Sequence, residues 1–294
     1  MYYKHSGRFS LGGLMIGALI GCAGAAILGY IYGRGSILIE DEHLAFLATL
    51  ALGAGIGGCA GYGLIWGKVR NHAVNFCLQG IASAVSLYVS WAAWIADIFK
   101  RFQVDDPPSW IEFLKHPVGL WRAMCYINQY GTWSLGKGED PTTGAELWAI
   151  WFIEAALVVV GAMVIGYEVL RNHAFCDRCE SWCRRAAKLI LAVPQNPDLL
   201  KRQLEANDWR TFDSLPAENK AANHLAVGLD SCGECHQLNT VTVTLVARRK
   251  PRKIIEHLLI ASAQAEKLKQ LSMKAEQGAK LDPPKANAAA AGKH

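Results

Sequence analysis

The chain has 294 residues, of which 52% are apolar and 19% are charged. This composition excludes an intrinsically disordered chain, because disordered chains are poor in apolar residues and rich in charge. The charge is unevenly divided: residues 1–169 carry 10 Lys and Arg against 12 Asp and Glu, a net charge of −2, whereas residues 170–294 carry 20 against 13, a net charge of +7. Nine Cys residues, four of them in two Cys-x-x-Cys pairs, do not form the pattern of a secreted disulfide framework.

Four apolar segments are long enough to cross the hydrocarbon core of a bilayer, which needs about 20 residues of helix. The first contains no charged residue, and the third contains a single charge, Asp97, near its end. The sequence therefore predicts a multi-pass α-helical membrane protein with four spans. The predicted spans are residues 11–32, 44–66, 74–98 and 147–167, and the first two form a hairpin over residues 11–66.

Positive charges near the span ends predict the orientation, because Lys and Arg concentrate on the cytoplasmic side of a membrane. They lie in the N-terminal segment (residues 1–10), in the loop between spans two and three (residues 67–73) and after span four (residues 168–278). We therefore expect an inner-membrane protein with both termini in the cytoplasm. A lipoprotein signal ending at Cys22 is an alternative for the N-terminus, but the chain remains apolar after Cys22, which favours a span.

Small residues recur at every fourth position in the first two spans, which gives each helix a smooth stripe. In lipid, such stripes allow close contact between helix backbones. We expect the two spans to form a tight hairpin, and the sequence leaves open whether the stripes pack within one chain or against a second copy in a homo-oligomer. The glycines of these stripes include Gly13, Gly17 and Gly21 in span one and Gly53, Gly57 and Gly61 in span two.

Glu154 is the one carboxyl group well inside a predicted span, where burying a charge is costly. Two interpretations of it are open. Either Glu154 forms a hydrogen bond to a neighbouring helix, for which Ser83, Ser86 and Ser90 are candidates, or it belongs to a proton or ion path. The second interpretation makes the chain a component of a transporter or channel.

The segment between spans three and four, residues 99–146, is long and aromatic for a connection. A short helix capped by Ser109 and a second helix opened by Pro117 are predicted within it. Their mixture of aromatic, apolar and charged residues favours a position at the extracytoplasmic membrane–water interface.

The most specific motif consists of Cys176-x-x-Cys179 and Cys232-x-x-Cys235. Each pair can clamp a metal ion from a tight turn, and two pairs supply four thiolates for a tetrahedron with Zn–S distances of about 2.3 Å. This constellation resembles a zinc ribbon, which implies a structural Zn²⁺ in a cytoplasmic α+β domain over residues 168–278. The 52 residues between the pairs exceed the compact spacing of a ribbon and require an insertion.

Two further side chains close to the pairs are candidates for a supporting role. Cys183 and His236 can act as alternate ligands or lie beside the ligands, although core packing and solvent exposure are the commoner roles of such residues. The rival chemistry for the pairs is thiol–disulfide exchange, but the presence of two pairs and the predicted reducing compartment favour metal binding.

Periodicity and capping residues predict the other elements of this domain. The predicted helices are residues 182–192, 197–205, 208–215 and 263–277, the last of them capped by Ser262. Two strands, residues 225–230 and 240–246, flank the second Cys pair. The segment 254–260 is ambiguous between strand and helix, and residues 279–294 are a predicted disordered tail.

A run of positive charges follows the second strand and consists of Arg248, Arg249, Lys250, Arg252 and Lys253. For a domain tethered under a bilayer, anionic lipid headgroups are the nearest counter-surface, and each basic residue there contributes about 1 kcal/mol. Nucleic acid is the second candidate, but the run lacks the aromatic residues that single-strand binding uses.

Four thiolates leave no open position on a metal ion, and the chain contains no nucleophile elbow, phosphate loop or dinucleotide fingerprint. The sequence therefore favours an integral membrane scaffold or accessory subunit, rather than an enzyme, whose zinc-stabilised domain binds a partner protein or the membrane surface. The alternatives are a transporter or channel component, which would use the glycine-striped hairpin and Glu154, and a membrane thiol–disulfide oxidoreductase, which would use the Cys pairs.

Overall fold

The computed structural model describes residues 1–39, 41–131, 141–218, 222–247 and 250–281, apart from the side chains of residues 276 and 278–281. The chain divides into two compact units. The first, here called the helical unit, comprises residues 6–172, and the second, the sheet unit, comprises residues 1–5 together with the chain from residue 173 onward.

The helical unit is built on four long helices. Among the described residues, these four are long and apolar enough to cross a membrane, and each contains one of the four predicted apolar segments. In chain order the unit contains α1 (Leu11–Ser36), α2 (Glu42–Trp66), α3 (His72–Arg101), the short helices α4 (Trp110–Lys115) and α5 (Pro117–Tyr130), and α6 (Gly144–Arg171).

Polar caps set the helix starts that hydrophobicity alone does not locate. Ser10, Asp41 and Asn71 each accept a hydrogen bond from the third backbone N–H of the helix that follows. Helices α2 and α3 therefore begin two residues before the predicted apolar segments, because the polar residues of their first turns belong to the helix. The two helices predicted after Ser109 and at Pro117 are confirmed as α4 and α5.

The glycine stripe of α1 contacts two helices in turn. Near the start of α1, Gly13, Gly17 and Gly21 lie against the last two turns of α2. Further along, Gly29 and Gly33 lie against backbone carbonyl groups of α3. A side chain at these positions would hold the backbones apart, so the stripe sets how closely α1 approaches both neighbours.

The glycine stripe of α2 faces α6. A Cβ atom added at Gly53 would lie 2.8 Å from the carbonyl oxygen of Val158, and one added at Gly57 would lie 2.6 Å from that of Ala162. Gly61 continues the contact against the same helix. The two stripes therefore form separate interfaces within one chain and do not face each other.

Helix α3 turns a polar face toward the interior of the bundle. Asn75, Gln79, Ser83 and Ser86 are fully buried, and their spacing of three or four residues places them on one side of the helix. The Gln79 amide nitrogen donates to Asn75 Oδ1 at 3.1 Å and to the carbonyl oxygen of Gly57 at 3.5 Å. This face therefore links α3 to α2 through polar contacts as well as apolar packing.

The described part of the sheet unit contains a four-stranded antiparallel sheet in the order β3-β4-β5-β6 and a small β1-β2 hairpin. The strands are β1 (Phe175–Cys176), β2 (Ser181–Trp182), β3 (Arg184–Leu191), β4 (His224–Ser231), β5 (Asn239–Ala247) and β6 (Lys250–Leu259). The helices are α7 (Pro197–Glu205), α8 (Arg210–Asp213) and α9 (Ser262–Leu281). The core lies between one face of the sheet and these helices, and it includes Leu189, Leu200, Leu204, Phe212, Leu225, Val227, Val241, Ile255 and Leu268.

The predicted helix over residues 182–192 is wrong, because these residues form β2 and β3. Strand β3 pairs with β4 along its length. Arg185 Nε and Asp230 Oδ1, which lie opposite each other in this pair, form a salt bridge at 2.7 Å. The residue types of β3 permit a helix, but pairing with a strand that lies far along the chain overrides local preference.

The remaining predicted elements of the sheet unit are present. Helices α7 and α8 and strands β4 and β5 lie where the sequence predicts helices and strands, and the ambiguous segment from residue 254 belongs to β6. Helix α9 begins at the predicted cap, Ser262, and continues to Leu281, past the predicted end at residue 277 and into the first three residues of the predicted tail. Residues 282–294 of the predicted tail lie outside the described residues.

The first residues of the chain extend the edge of the sheet. Tyr2 pairs with Leu258 of β6, and the backbone N–H of Tyr3 donates to the carbonyl oxygen of His257 at 2.9 Å. The N-terminal residues and the C-terminal part of the chain thus belong to one unit.

Two adjacent glycines of α2 provide a matched test of the α2–α6 contact. Gly57→Ala places a methyl group 2.6 Å from the carbonyl oxygen of Ala162, whereas Gly58→Ala places one where no neighbouring helix lies within 4 Å. We expect Gly57→Ala to lower the free energy of unfolding by about 1–3 kcal/mol, because the two backbones must separate. We expect Gly58→Ala to leave stability unchanged or slightly raised. Thermal unfolding of the detergent-solubilised chain measures both, and equal midpoints would contradict the contact.

Candidate metal centre

The two Cys pairs lie in the tight turns of two antiparallel hairpins. The first knuckle, residues 176–179, joins β1 to β2, and the second knuckle, residues 232–235, follows β4 and leads to β5. In each turn the residue after the second Cys has a left-handed backbone, with φ of 48° at Glu180 and 55° at His236. The two knuckles therefore share a left-handed residue directly after the second Cys.

Backbone amides are directed at the first sulfur of each knuckle. The Sγ atoms of Cys176 and Cys232 each accept hydrogen bonds from the backbone N–H groups two and three residues further along the chain. Hydrogen bonds of this kind stabilise the charged form of the thiol. Arg178 Nη1 of the first knuckle donates to Gln237 Oε1, two residues after the second knuckle, at 2.6 Å.

The four sulfur atoms are close enough to share one metal ion. The Sγ atoms of Cys176, Cys179, Cys232 and Cys235 all lie within 4.8 Å of one another, and those of Cys176 and Cys235 are 3.7 Å apart. Four ligands on a tetrahedron with bonds of about 2.3 Å are separated by about 3.8 Å, so the spacing suits a metal with thiolate ligands. All four are free cysteines, with no disulfide among them. We call this group the cysteine cluster.

The pKa values of the thiols show why the cysteine cluster favours a cation. Burial raises the pKa of the Cys232 thiol, but hydrogen bonds from the backbone N–H groups of Cys235 and Glu234, together with those of the Ser181 and Cys235 side chains, outweigh it and bring the pKa down to about 6. At Cys179, the hydrogen bond with the Cys235 sulfur, together with burial, raises the pKa to about 12. Four thiolates at this spacing repel one another, which disfavours their charged forms. A bound cation offsets this repulsion and stabilises the thiolates.

Tyr3 supports the first knuckle from the other end of the chain. Its hydroxyl group accepts a hydrogen bond from the backbone N–H of Phe175 at 2.9 Å and donates to the carbonyl oxygen of the same residue at 3.1 Å. Phe175 directly precedes the ligand Cys176, and Tyr3 packs against the same small cluster as the four cysteines. The sequence gives no signal for this role, because Tyr3 lies 172 residues away along the chain.

Cys183 and His236, the two predicted supporting residues, occupy different environments. Cys183 is buried next to the cysteine cluster, where burial first and then the nearby Cys232 raise its pKa to about 12. The His236 side chain is exposed, and its backbone N–H donates to the carbonyl oxygen of Cys232 at 3.2 Å. Neither belongs to the group of four residues placed within 4.8 Å of one another.

Glu154 is half-buried in α6 and lines a cavity in the helical unit. In the described part of the chain, it forms no hydrogen bond with the three serines predicted as partners. The hydroxyl groups of Ser83 and Ser86 have no partner there, and that of Ser90 donates to the carbonyl oxygen of Leu87 at 2.9 Å. In the described residues these three serines therefore do not supply the hydrogen bond of the first interpretation, and the role of Glu154 stays open.

The predicted basic run lies partly on β6. Lys250, Arg252 and Lys253 belong to this strand, and their side chains are exposed. Lys253 Nζ forms a salt bridge with Glu256 Oε1 at 2.7 Å. Arg248 and Arg249 lie outside the described residues.

Comparison of this chain with protein-family models, with curated proteins and with solved structures finds no match. The cysteine cluster and the cavity at Glu154 are therefore interpreted from their own residues and geometry.

We expect the full chain, purified under reducing conditions, to contain one metal ion per chain and to lose it on Cys232→Ser, because the set of four thiolates is then broken. Cys183→Ala is the matched control, since it removes a neighbouring buried thiol and should retain the metal. Elemental analysis with thiol titration measures both. A full equivalent of metal in Cys232→Ser would contradict the four-cysteine site, and metal loss in folded Cys183→Ala would place Cys183 among the ligands.

We expect Tyr3→Phe to weaken metal binding by about tenfold, because removal of groups that orient metal ligands costs about 10- to 100-fold in affinity. The change deletes both hydrogen bonds to Phe175 while keeping the ring. Tyr2→Phe is the control, because the Tyr2 hydroxyl group donates to Glu205 and not to a knuckle. Competition with a chelator measures the affinities, and equal values for the two variants would remove Tyr3 from the metal centre.

Proposed function

We propose that this chain is an integral inner-membrane protein with four spans and a zinc-stabilised, ribbon-like cytoplasmic domain, and that it acts as a scaffold or accessory subunit. In this proposal the metal stabilises the fold of the sheet unit, and the sheet unit binds a partner protein or the membrane surface. The cysteine cluster is the observation that carries the proposal.

Zinc is the metal that best suits four thiolates in a closed tetrahedral set. The position of both knuckles in hairpin turns supports the resemblance to a zinc ribbon, in which ligands occupy such turns. The long separation between the pairs is compatible with a ribbon, because β3 and β4 pair side by side and return the chain to the first knuckle. The segment between these strands, with α7 and α8, then forms the required insertion.

A closed set of thiolates favours binding over catalysis. Four protein ligands leave no coordination position for water or substrate, so the metal has no means to activate either. Thiol–disulfide exchange is less well supported, because that chemistry uses one reactive pair, whereas here all four sulfurs share one cluster and Cys176 and Cys235 come from different pairs.

The basic residues of β6 support an anionic binding surface. Lys250 and Arg252 are exposed at the start of this strand, and the sequence run from residue 248 to 253 carries five positive charges. A domain that follows a spanning helix directly in the chain stays near lipid headgroups, where such a run gains about 1 kcal/mol per residue. An anionic lipid surface is therefore proposed ahead of nucleic acid.

Affinity purification of the tagged full chain from membranes, after chemical cross-linking, tests the proposal. We expect wild type and Cys77→Ser to recover the same bound proteins or second copies in a fixed ratio, because Cys77 is an exposed residue of α3 outside the cysteine cluster. We expect Cys232→Ser to lose them at equal abundance in the membrane, since loss of the metal disrupts the sheet unit.

Three further outcomes make this test decisive. A double variant, Lys250→Glu with Arg252→Glu, leaves the cysteine cluster intact. Loss of binding at unchanged metal content would therefore show that the basic surface binds the partner. Recovery of the same partners with Cys232→Ser would contradict a role for the metal-stabilised domain in binding. Reversible oxidation of one pair in a metal-free wild type would favour the oxidoreductase.

A further inference from the structure

The helical unit contains a cavity of about 740 Å³ at the level of Tyr32, Thr49, Ser90 and Glu154. The end of α1, the start of α2, the second half of α3 and the first half of α6 form its walls. Pockets that hold small ligands measure about 300–1,000 Å³, so this volume suits a molecule the size of a lipid headgroup or a drug. We call it the Glu154 cavity.

Helix packing explains why the cavity exists. Helices α2 and α6 are in backbone contact at Gly53 and Gly57, but one turn nearer the start of α2 the wall is formed by Thr49 instead. Trp151 of α6 packs edge-on against Trp91 of α3, with ring centroids 4.7 Å apart, and so ties this part of α6 to α3. The contact of α2 with α6 at the two glycines and the packing of Trp151 on Trp91 therefore leave a space between α2 and α6 at the level of Thr49.

Carboxyl groups outnumber cationic groups in the wall. Asp41, Glu42 and Glu154 line the cavity, against one guanidinium group from Arg101. Asp41 and Glu42 lie at the start of α2, whereas Glu154 lies ten residues into α6. The rest of the wall is largely apolar or aromatic, and it includes Phe46, Leu87, Trp91, Trp94, Trp151 and Leu157. Such a wall favours an occupant with an apolar body and a positive charge.

The hydroxyl groups of the wall already donate elsewhere. Thr49 donates to the carbonyl oxygen four residues earlier at 3.0 Å, and the hydroxyl groups of Tyr32 and Thr49 share a 2.9 Å hydrogen bond. Ser36 and Ser90 each donate to the carbonyl oxygen three residues earlier, at 3.1 and 2.9 Å. In the described wall, the hydrogen bonds of these four hydroxyl groups go to partners other than Glu154. A carboxylate in a largely apolar wall is stabilised by a cation that enters the cavity.

We propose that the Glu154 cavity binds an amphiphilic cation, with its positive centre against the Glu154 carboxylate. The apolar body of the ligand lies between α2 and α6, next to Phe46 and Leu157. Aromatic rings add to the attraction, because the faces of Trp and Tyr attract cations, and this attraction is stronger away from water. This binding site is separate from the cysteine cluster and does not depend on its metal.

Exposed side chains at the rim indicate how such a ligand enters. Phe46 and Ile153 line the cavity and are 51% and 57% exposed, and Asp41 and Glu42 are exposed at the helix end. If the four helices span a bilayer, the first two of these residues face lipid and the other two lie near its surface. A membrane lipid with an amine headgroup and a free amphiphilic amine share the chemistry that this rim admits.

Equilibrium binding of radiolabelled tetraphenylphosphonium to the full chain in a non-ionic detergent tests the proposal. We expect saturable binding to the wild type, accompanied by a change in the fluorescence of the tryptophans that line the cavity. Glu154→Gln should weaken binding by about tenfold or more, the cost of losing one charge-assisted contact. Glu146→Gln is the matched control, because Glu146 is an exposed acid of the same helix that does not line the cavity.

A second variant separates charge from folding. Glu154→Asp keeps the carboxylate and should retain binding within a few-fold, and the thermal midpoints of all three variants report their folding. Equal affinity of Glu154→Gln and wild type would overturn the proposal, and so would the absence of saturable binding to the wild type. Equal binding of the neutral analogue triphenylphosphine oxide would also overturn it, because apolar filling alone would then explain the affinity.

Competition experiments distinguish the two sources of the ligand. In nanodiscs, phosphatidylethanolamine should compete with tetraphenylphosphonium if the natural occupant is a lipid, whereas phosphatidylglycerol, which lacks an amine, should not. Competition by a long-chain alkyl amine, but not by the lipid, would identify a free amine as the natural occupant of the cavity. Competition by phosphatidylglycerol that equals that of phosphatidylethanolamine would contradict recognition of a positive charge.

Discussion

A bilayer interior offers no hydrogen-bond partner to a peptide group, and this constraint governs the helical unit if its four long helices, which are long and apolar enough, cross a membrane. Its four long segments are helical along their whole length, so their backbone groups bond within each helix. Association then depends on how closely the backbones approach, which glycines such as Gly29 and Gly57 permit. The same constraint explains why Asn75 and Gln79 of α3 turn inward and bond to each other.

Glu154 is also a polar residue of a long helix, but its surroundings differ from those of Asn75 and Gln79. The polar residues of α3 lie where helices are in contact, whereas Glu154 lies where α2 and α6 have separated around a cavity. The hydroxyl groups of Tyr32 and Ser90 bond to Thr49 and to the carbonyl oxygen of Leu87 rather than to Glu154, whereas the Gln79 amide nitrogen donates to Asn75 and to Gly57. A polar side chain held in a cavity in this way is better explained by a ligand than by helix packing.

In the sheet unit the cysteine cluster adds a second connection to the apolar core between sheet and helices. The cysteine cluster joins a two-stranded hairpin to the β4–β5 turn, two parts of the chain that are 52 residues apart in sequence. The first residues of the chain also belong to this unit through Tyr2 and Tyr3. A metal at this position would therefore stabilise contacts between three separate parts of the chain. This arrangement supports a role in which a correctly folded surface, rather than a reactive metal, is what the site provides.

Local sequence determined the four apolar helices, the start of α9 at Ser262, the helix at Pro197 and the two Cys knuckles. These features depend on hydrophobic length, on caps and on the spacing of two residues between ligands, all of which act over a few neighbouring positions. Tertiary structure alone decided that residues 184–191 form a strand and that Tyr3 supports the first knuckle. It also decided that the glycines of α2 face α6 and that Glu154 meets a cavity. Each of these outcomes depends on contacts between residues far apart in the chain, whose energies exceed the small differences in local preference that a sequence displays.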